Sequence, residues 1–271
     1  MNEHKVNIHT LRSMKQRGEK ITALTAYDFF TTKIMDEVGV HLILVGDSVG
    51  MAVLGYANTL PVTMDEMVHH TKSVARAKPQ ALLVADMPFM SYSTVRAALE
   101  NAGRLIQAGA EAVKLEGGEA IIEQVRALIA AGIPVLGHIG LLPQSILETG
   151  GYKIVGRTLQ SAERVLRDAK ALEQAGVFGI VIEGTIASVA EQVTKSVNVP
   201  TIGIGAGPNC DGQILVSNDM LGLFTWFTPK HVKRYANLAE EMRKAFAQYK
   251  REVESGKFPT VEHSFYEPGK N

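Results

Sequence analysis

Eight short apolar runs punctuate this chain, and each leads into a turn: residues 21–24, 41–45, 82–85, 112–115, 135–137, 179–182, 201–204 and 213–216. Several are apolar at consecutive positions, as in Leu42-Ile43-Leu44-Val45, which is what a strand buried on both faces requires. Segments of helical periodicity separate them, over 28–38, 63–78, 93–108, 119–131, 161–175 and 185–197. Thr63-Met64-Asp65-Glu66 has the form of a capping box. Gly39, Gly109, Gly132 and Gly176 each stand between a helix and the next strand, where glycine supplies the left-handed turn. Strands alternating with helices mean βαβ units and a parallel sheet. Eight units favour an α/β closed barrel, a (β/α)8 TIM barrel, over an open doubly wound sheet. The 271 residues, 46% of them hydrophobic, suit one such barrel of roughly 250 residues. The chain therefore reads as a single domain over 1–271. Residues 1–19 form an N-terminal extension with a helix over Leu11–Gln16, a charged C-terminal helix runs from Pro229 to about Glu254, and 255–271 is a polar tail. The turns over 50–61 and 141–157 are long, as loops above an active site often are.

Lys+Arg and Asp+Glu both number 28, so no basic stripe argues for nucleic acid. No stretch approaches the roughly 18 apolar residues of a membrane span. A single cysteine, Cys210, precludes an internal disulfide and fits a reducing compartment. Met1 to Arg17 is polar and lacks the apolar centre of a signal peptide, so a cytoplasmic protein is expected.

In a β/α barrel the C-terminal strand ends share one rim, which gathers residues distant in sequence. Here those ends carry Asp47 and Ser48, Asp86, Lys114 with Glu116, His138, and Glu183. Asp47 and Asp86, helped by Glu116, suit a hard dication such as Mg²⁺, which takes oxygen ligands and keeps water. Zinc fits less well, because the cysteine is single and no histidine pair has ligand spacing. Each aspartate is alternatively a helix cap. Lys114 and Glu116, two apart on one strand, point to the same side. Lys114 then holds a substrate carboxylate or enolate, serves as a Schiff-base nucleophile, or pairs with Glu116. His138 polarises a carbonyl, relays a proton, or is structural. Ser48 donates to a substrate carboxylate or caps a helix. Glu183 ends an apolar strand, where desolvation raises a carboxyl pKa and makes a base for a proton beside a carbonyl. The glycine-rich turn at 203–207 is a weak phosphate-site signal. Together these groups describe a metal-dependent aldol-type step on a 2-oxo acid. A lyase of the isocitrate lyase type, which would need a loop cysteine, and a non-catalytic barrel are the alternatives.

At these positions the chain resembles the ketopantoate hydroxymethyltransferase family. The resemblance rests on Leu24-Thr25-Ala26-Tyr27-Asp28, Leu44-Val45-Gly46-Asp47-Ser48-Val49-Gly50-Met51, Val84-Ala85-Asp86-Met87-Pro88-Phe89, Val113-Lys114-Leu115-Glu116-Gly117-Gly118, Gly137-His138-Ile139-Gly140-Leu141 and Asp211-Gly212-Gln213. It implies a barrel similar to those of phosphoenolpyruvate mutase and isocitrate lyase. It implies transfer of a hydroxymethyl group from 5,10-methylenetetrahydrofolate to 3-methyl-2-oxobutanoate, giving 2-dehydropantoate, in pantothenate biosynthesis. Asp47 and Asp86 then look like Mg²⁺ ligands, one ion per subunit, with Glu116 in or just outside the shell. Asp47, Ser48, Asp86 and Lys114 look like substrate contacts, Glu183 like the proton acceptor, and His138 like part of the lining. The family forms large homo-oligomers, typically decamers. Gly184 departs from the larger residue common there.

Overall fold

The computed structural model describes residues 5–225 and 229–266. The chain divides into two compact units, Met1–Ser217 and Asn218–Asn271. The eight strands of the first unit are parallel and close in sequence order, β8 pairing with β1, so the open-sheet alternative is excluded. They are β1 (Ile21–Thr25), β2 (Leu42–Val45), β3 (Leu82–Asp86), β4 (Ala112–Glu116), β5 (Val135–Gly140), β6 (Gly179–Glu183), β7 (Thr201–Ile204) and β8 (Gly212–Leu215). The helices α1 (Ile8–Arg17), α2 (Phe29–Glu37), α3 (Val49–Ala52), α4 (Met64–Ala75), α5 (Val95–Gln107), α6 (Ile122–Ala130), α7 (Ile146–Thr149), α8 (Leu159–Ala175) and α9 (Ala187–Ser196) interleave with them.

Alternation along the strands sorts the apolar residues into two clusters. Ile43, Val45, Leu83, Ala85, Val113, Leu115, Ile180 and Ile182 pack outward with the helices, against residues such as Val74, Leu105, Leu128 and Leu172. Ile21, Ala23, Leu42, Leu44, Leu82, Val84, Ala112, Leu136 and Val181 fill the interior, joined by Val6, Leu11 and Met14. Burying both sets removes water from nearly every strand side chain, the main driving force for the fold. Continuing the inward set to the strand ends leads to Asp86, Lys114, Glu116, His138 and Glu183. The same two-residue period that packs the barrel therefore turns these polar groups inward above the apolar layers.

Helix ends differ from expectation where capping was invisible in the pattern. α1 is longer than Leu11–Gln16, because Asn7 and Thr10 form a capping box and Gly18 closes the helix in the left-handed conformation. The capping box at Thr63 and Glu66 forms as expected. In the second unit the helix is Leu238–Glu254 rather than beginning at Pro229. The Tyr235 and Leu238 N–H groups donate to the Met220 and Leu221 carbonyls, so they are committed before the helix starts. Within the tail, residues 267–271 lie outside the described residues, as do 1–4 of the N-terminal extension. Among the described residues no helix is long and apolar enough to cross a membrane.

Candidate active site

Asp47, Asp86, Lys114, Glu116 and His138 are all buried at one end of the barrel, with Ser48 and Glu183 partly buried beside them. Strand register sets the neighbours: Asp86 lies beside Lys114, and Glu116 beside His138. Lys114 Nζ donates to Asp86 Oδ1 at 2.5 Å. The lysine thus pairs across strands with Asp86, not along its own strand with Glu116. Asp86 Oδ2 accepts from the Asp47 N–H at 3.1 Å, fixing the turn after β2 against β3.

Neither aspartate caps a helix. Ser48 is the N-cap of α3 and Thr94 that of α5, and Asp47 accepts from Gln144 instead. Ser48 makes no side-chain cap either; its hydroxyl lies 2.8 Å from that of buried Tyr27.

Three carboxylates, Asp47, Asp86 and Glu116, surround the Lys114 ammonium, and Glu183 adds its charge to the surroundings of Asp47. Desolvation, then the charge of Asp86, pushes the Asp47 carboxyl up to about 7. Glu116 is raised well above the carboxylate range by burial and by Asp47. Burial opposes the Lys114 charge, but Asp86, Glu116 and Asp47 outweigh it and hold the ammonium above its ordinary pKa. A Schiff-base nucleophile needs the neutral amine, so these surroundings favour a fixed cation. His138 lies with Nδ1 3.6 Å from Glu116 Oε1 and Nε2 3.3 Å from Glu183 Oε2. Burial and the Lys114 charge lower its pKa well below the usual value, so the ring is neutral. Glu183 was expected to be desolvated, yet its side chain is 21% exposed against 3% for Glu116. As the last residue of β6 it sits at the rim rather than beneath it.

The donor set fits a hard dication: the carboxylates outnumber the cation, and Glu116 Oε1 is buried with no hydrogen-bond partner. Among the described residues no three His, Cys, Asp or Glu side chains converge into a complete cage. Mg²⁺ does not need one, since one or two carboxylates plus water and substrate oxygens complete its shell. Asp47 and Asp86 could supply such a pair of carboxylates, with Glu116 a third oxygen source nearby.

Two residues of the site, Gln144 and Tyr92, are not singled out by the sequence, and Tyr27 appears there only inside the motif Leu24-Thr25-Ala26-Tyr27-Asp28 with no role assigned. Gln144, in the 3-10 turn Pro143–Ser145 after β5, is buried and contacts both Asp47 and Glu116. Tyr92 Oη donates to Gln144 Oε1 at 2.6 Å. Tyr152 of the 141–157 loop contacts Met51 Sδ through its hydroxyl, and burial followed by the charge of Glu183 raises its pKa. Gly184, with φ +49°, leaves a Cβ only 2.8 Å from Leu141 Cβ, so glycine suits the close approach of the two loops here. The 203–207 turn has packing reasons for its glycines: a Cβ at Gly207 would lie 2.5 Å from Ala187 Cβ. Cys210 is wholly buried, and burial raises its thiol pKa, so it does not match the loop cysteine of a lyase.

The barrel is similar to that of phosphonopyruvate hydrolase, crystallised with oxalate and Mg²⁺, with a TM-score of 0.64, 17% identity, and 95% and 93% of the two chains covered. It is similar too to 2,3-dimethylmalate lyase, a member of the phosphoenolpyruvate mutase/isocitrate lyase superfamily, with TM-score 0.61, 18% identity, and 94% and 92% covered. At such identities these likenesses speak for the fold. Sequence relatives are far nearer. The chain is 56% identical over 263 residues to the 3-methyl-2-oxobutanoate hydroxymethyltransferase of Moorella thermoacetica, covering 96% of this chain and 98% of the relative. It is 54% identical over 263 residues to the enzyme of that name from Syntrophus aciditrophicus, covering 96% and 97%. The family model for ketopantoate hydroxymethyltransferase matches residues 5–261. With a match over almost its whole length, the chain belongs to the ketopantoate hydroxymethyltransferase family and is a transferase enzyme.

Proposed function

We propose that this enzyme transfers a hydroxymethyl group from 5,10-methylenetetrahydrofolate to 3-methyl-2-oxobutanoate, giving 2-dehydropantoate on the route to pantothenate. The relatives' names support the reaction, and the gathering of Asp47, Asp86 and Glu116 around Lys114, with Glu183 beside His138 at the rim, is the observation that carries the chemistry. The balance is ketoacid, methylene donor and water in, hydroxymethyl ketoacid and tetrahydrofolate out.

Asp47 and Asp86, with Glu116 nearby, would hold Mg²⁺, which when bound polarises the substrate's keto and carboxylate oxygens. Glu183, at the rim, accepts the proton from C3 of the ketoacid. The Lys114 ammonium faces the oxygen on which negative charge develops and stabilises it electrostatically. The Ser48 hydroxyl, steadied by Tyr27, orients the substrate carboxylate. Neutral His138 lines the site between Glu116 and Glu183, adding no competing positive charge. Water releases the donor's methylene as formaldehyde, breaking both C–N bonds and freeing tetrahydrofolate. The carbanion equivalent at C3 then attacks that carbon, and its oxygen takes up the proton held by Glu183 to become the hydroxymethyl group. The decameric assembly implied by the family belongs to the same proposal. Exposed Phe30, Ile34 and Val38, four residues apart along α2, support a subunit contact.

The reaction is checked by NMR of the product from ketoacid and 5,10-methylenetetrahydrofolate. The expected result is 2-dehydropantoate with Mg²⁺, loss of product with EDTA, and recovery on adding excess Mg²⁺. No hydroxymethyl product under any of these conditions contradicts the proposal.

A further inference from the structure

Gln144 uses every one of its hydrogen-bonding groups on the site except its backbone carbonyl. Its backbone N–H donates to Glu116 Oε2 at 3.0 Å. Its Nε2 donates to Asp47 Oδ2 at 2.8 Å and to the Met87 carbonyl at 3.0 Å. Its Oε1 accepts from Tyr92 Oη at 2.6 Å. Asp47 and Met87 O are both acceptors, so only the NH₂ end can face them, and the amide orientation is fixed by chemistry. Gln144, in the turn that follows β5, thereby ties together the turns after β2 and β3 and the end of β4.

We propose that Gln144 is a positioning residue, which together with Tyr92 orients Asp47 and Glu116 so that their remaining oxygens face a dication. This rests on the reading of Asp47 and Asp86 as the Mg²⁺-holding pair with Glu116 as the nearby third carboxylate. Each carboxylate gives one oxygen to Gln144, and Glu116 Oε1 is left without a hydrogen-bond partner. A neutral amide suits the task. It holds two like-charged groups without neutralising either, whereas a second lysine would compete with the metal. The chain from Tyr92 to Gln144 to carboxylate is an outer layer that fixes ligand direction, and loss of such partners typically costs 10–100-fold in metal affinity.

The test is Mn²⁺ binding followed by electron paramagnetic resonance, alongside steady-state kinetics. Gln144→Met keeps the side-chain volume and removes the amide donors to Asp47 and the Met87 carbonyl, while the backbone N–H to Glu116 stays. It is expected to weaken Mn²⁺ binding by about 10-fold or more and to lower kcat/KM in step. Gln144→Ala should be no worse than Gln144→Met, because the lost function is hydrogen bonding and not packing. Tyr92→Phe should weaken Mn²⁺ in the same direction by a smaller factor, and the double variant should match Gln144→Met alone. Gln144→Met binding Mn²⁺ within about twofold of the unmodified enzyme, while Asp47→Asn has lost it, overturns the positioning role and leaves the dication reading intact. An unmodified enzyme that binds no Mn²⁺ overturns both. If Gln144→Met fails to fold, Tyr92→Phe decides: unchanged Mn²⁺ affinity overturns the proposal.

Discussion

Glu183→Gln lowers kcat by about 10³–10⁴-fold while leaving the fold and ketoacid binding nearly intact. The reason lies in how the four carboxylates differ. Asp86 is held by Lys114 and the Asp47 N–H, Asp47 by the Gln144 side chain, and Glu116 by the Gln144 backbone. Those three are buried and oriented by neighbours. Glu183 ends β6 at the rim with a fifth of its side chain exposed, where a substrate carbon can approach. Glutamine keeps its shape and cannot accept the proton. Removing one negative charge from a crowded set also relieves repulsion, so thermal stability should hold or rise. The decisive split is a large fall in kcat with KM within a few-fold. A variant within about tenfold of the unmodified kcat would place the base elsewhere.

Lys114→Met has the largest expected effect on stability, about 3–5 kcal/mol by urea unfolding at pH 7.5 in EDTA. Methionine fills much of the same volume, so the loss measures the charge. Lys114 is 3% exposed, pairs with Asp86 at 2.5 Å, and faces the Asp47 and Glu116 charges as well. Without it, buried carboxylates face each other uncompensated and must take up protons. Activity should fall together with stability. Excess Mg²⁺ should restore part of the stability and none of the activity, since a dication bound at the carboxylates compensates their charge but does not replace the ammonium. A variant as stable as the unmodified protein in EDTA would contradict the charge balance assigned to this site.

The barrel was legible because eight apolar runs, alternating with helices, have no better parallel arrangement. The parity of Lys114 and Glu116 was legible for the same reason: a strand repeats every two residues. What the pattern could not show was register. Side chains two apart on one strand are farther apart than neighbours on adjacent strands, about 4.8 Å between backbones. So Lys114 meets Asp86, its register partner, rather than Glu116. Gln144 was invisible because its direction is set by the 3-10 turn Pro143–Ser145, which follows no period. Tyr92 likewise sits in a turn after β3, and its hydroxyl reaches the site through Gln144 Oε1 and the Glu116 carbonyl. The start of the C-terminal helix was misplaced because composition does not reveal that Tyr235 and Leu238 direct their N–H groups to Met220 and Leu221. The apolar residues before Glu183 announce the strand, and only the structure shows that its own place is the strand's open end, where its side chain stays 21% exposed.

On the proposed reading, Glu183 removes the C3 proton of 3-methyl-2-oxobutanoate with help from a dication at Asp47 and Asp86. Solvent deuterium exchange at C3, followed by ¹H NMR with Mg²⁺ and then with EDTA, tests it most directly. The expected result is exchange that requires both the metal and Glu183, with or without the folate donor present. Exchange that persists unchanged in EDTA, or no exchange with Mg²⁺ and 5,10-methylenetetrahydrofolate both present, would contradict it.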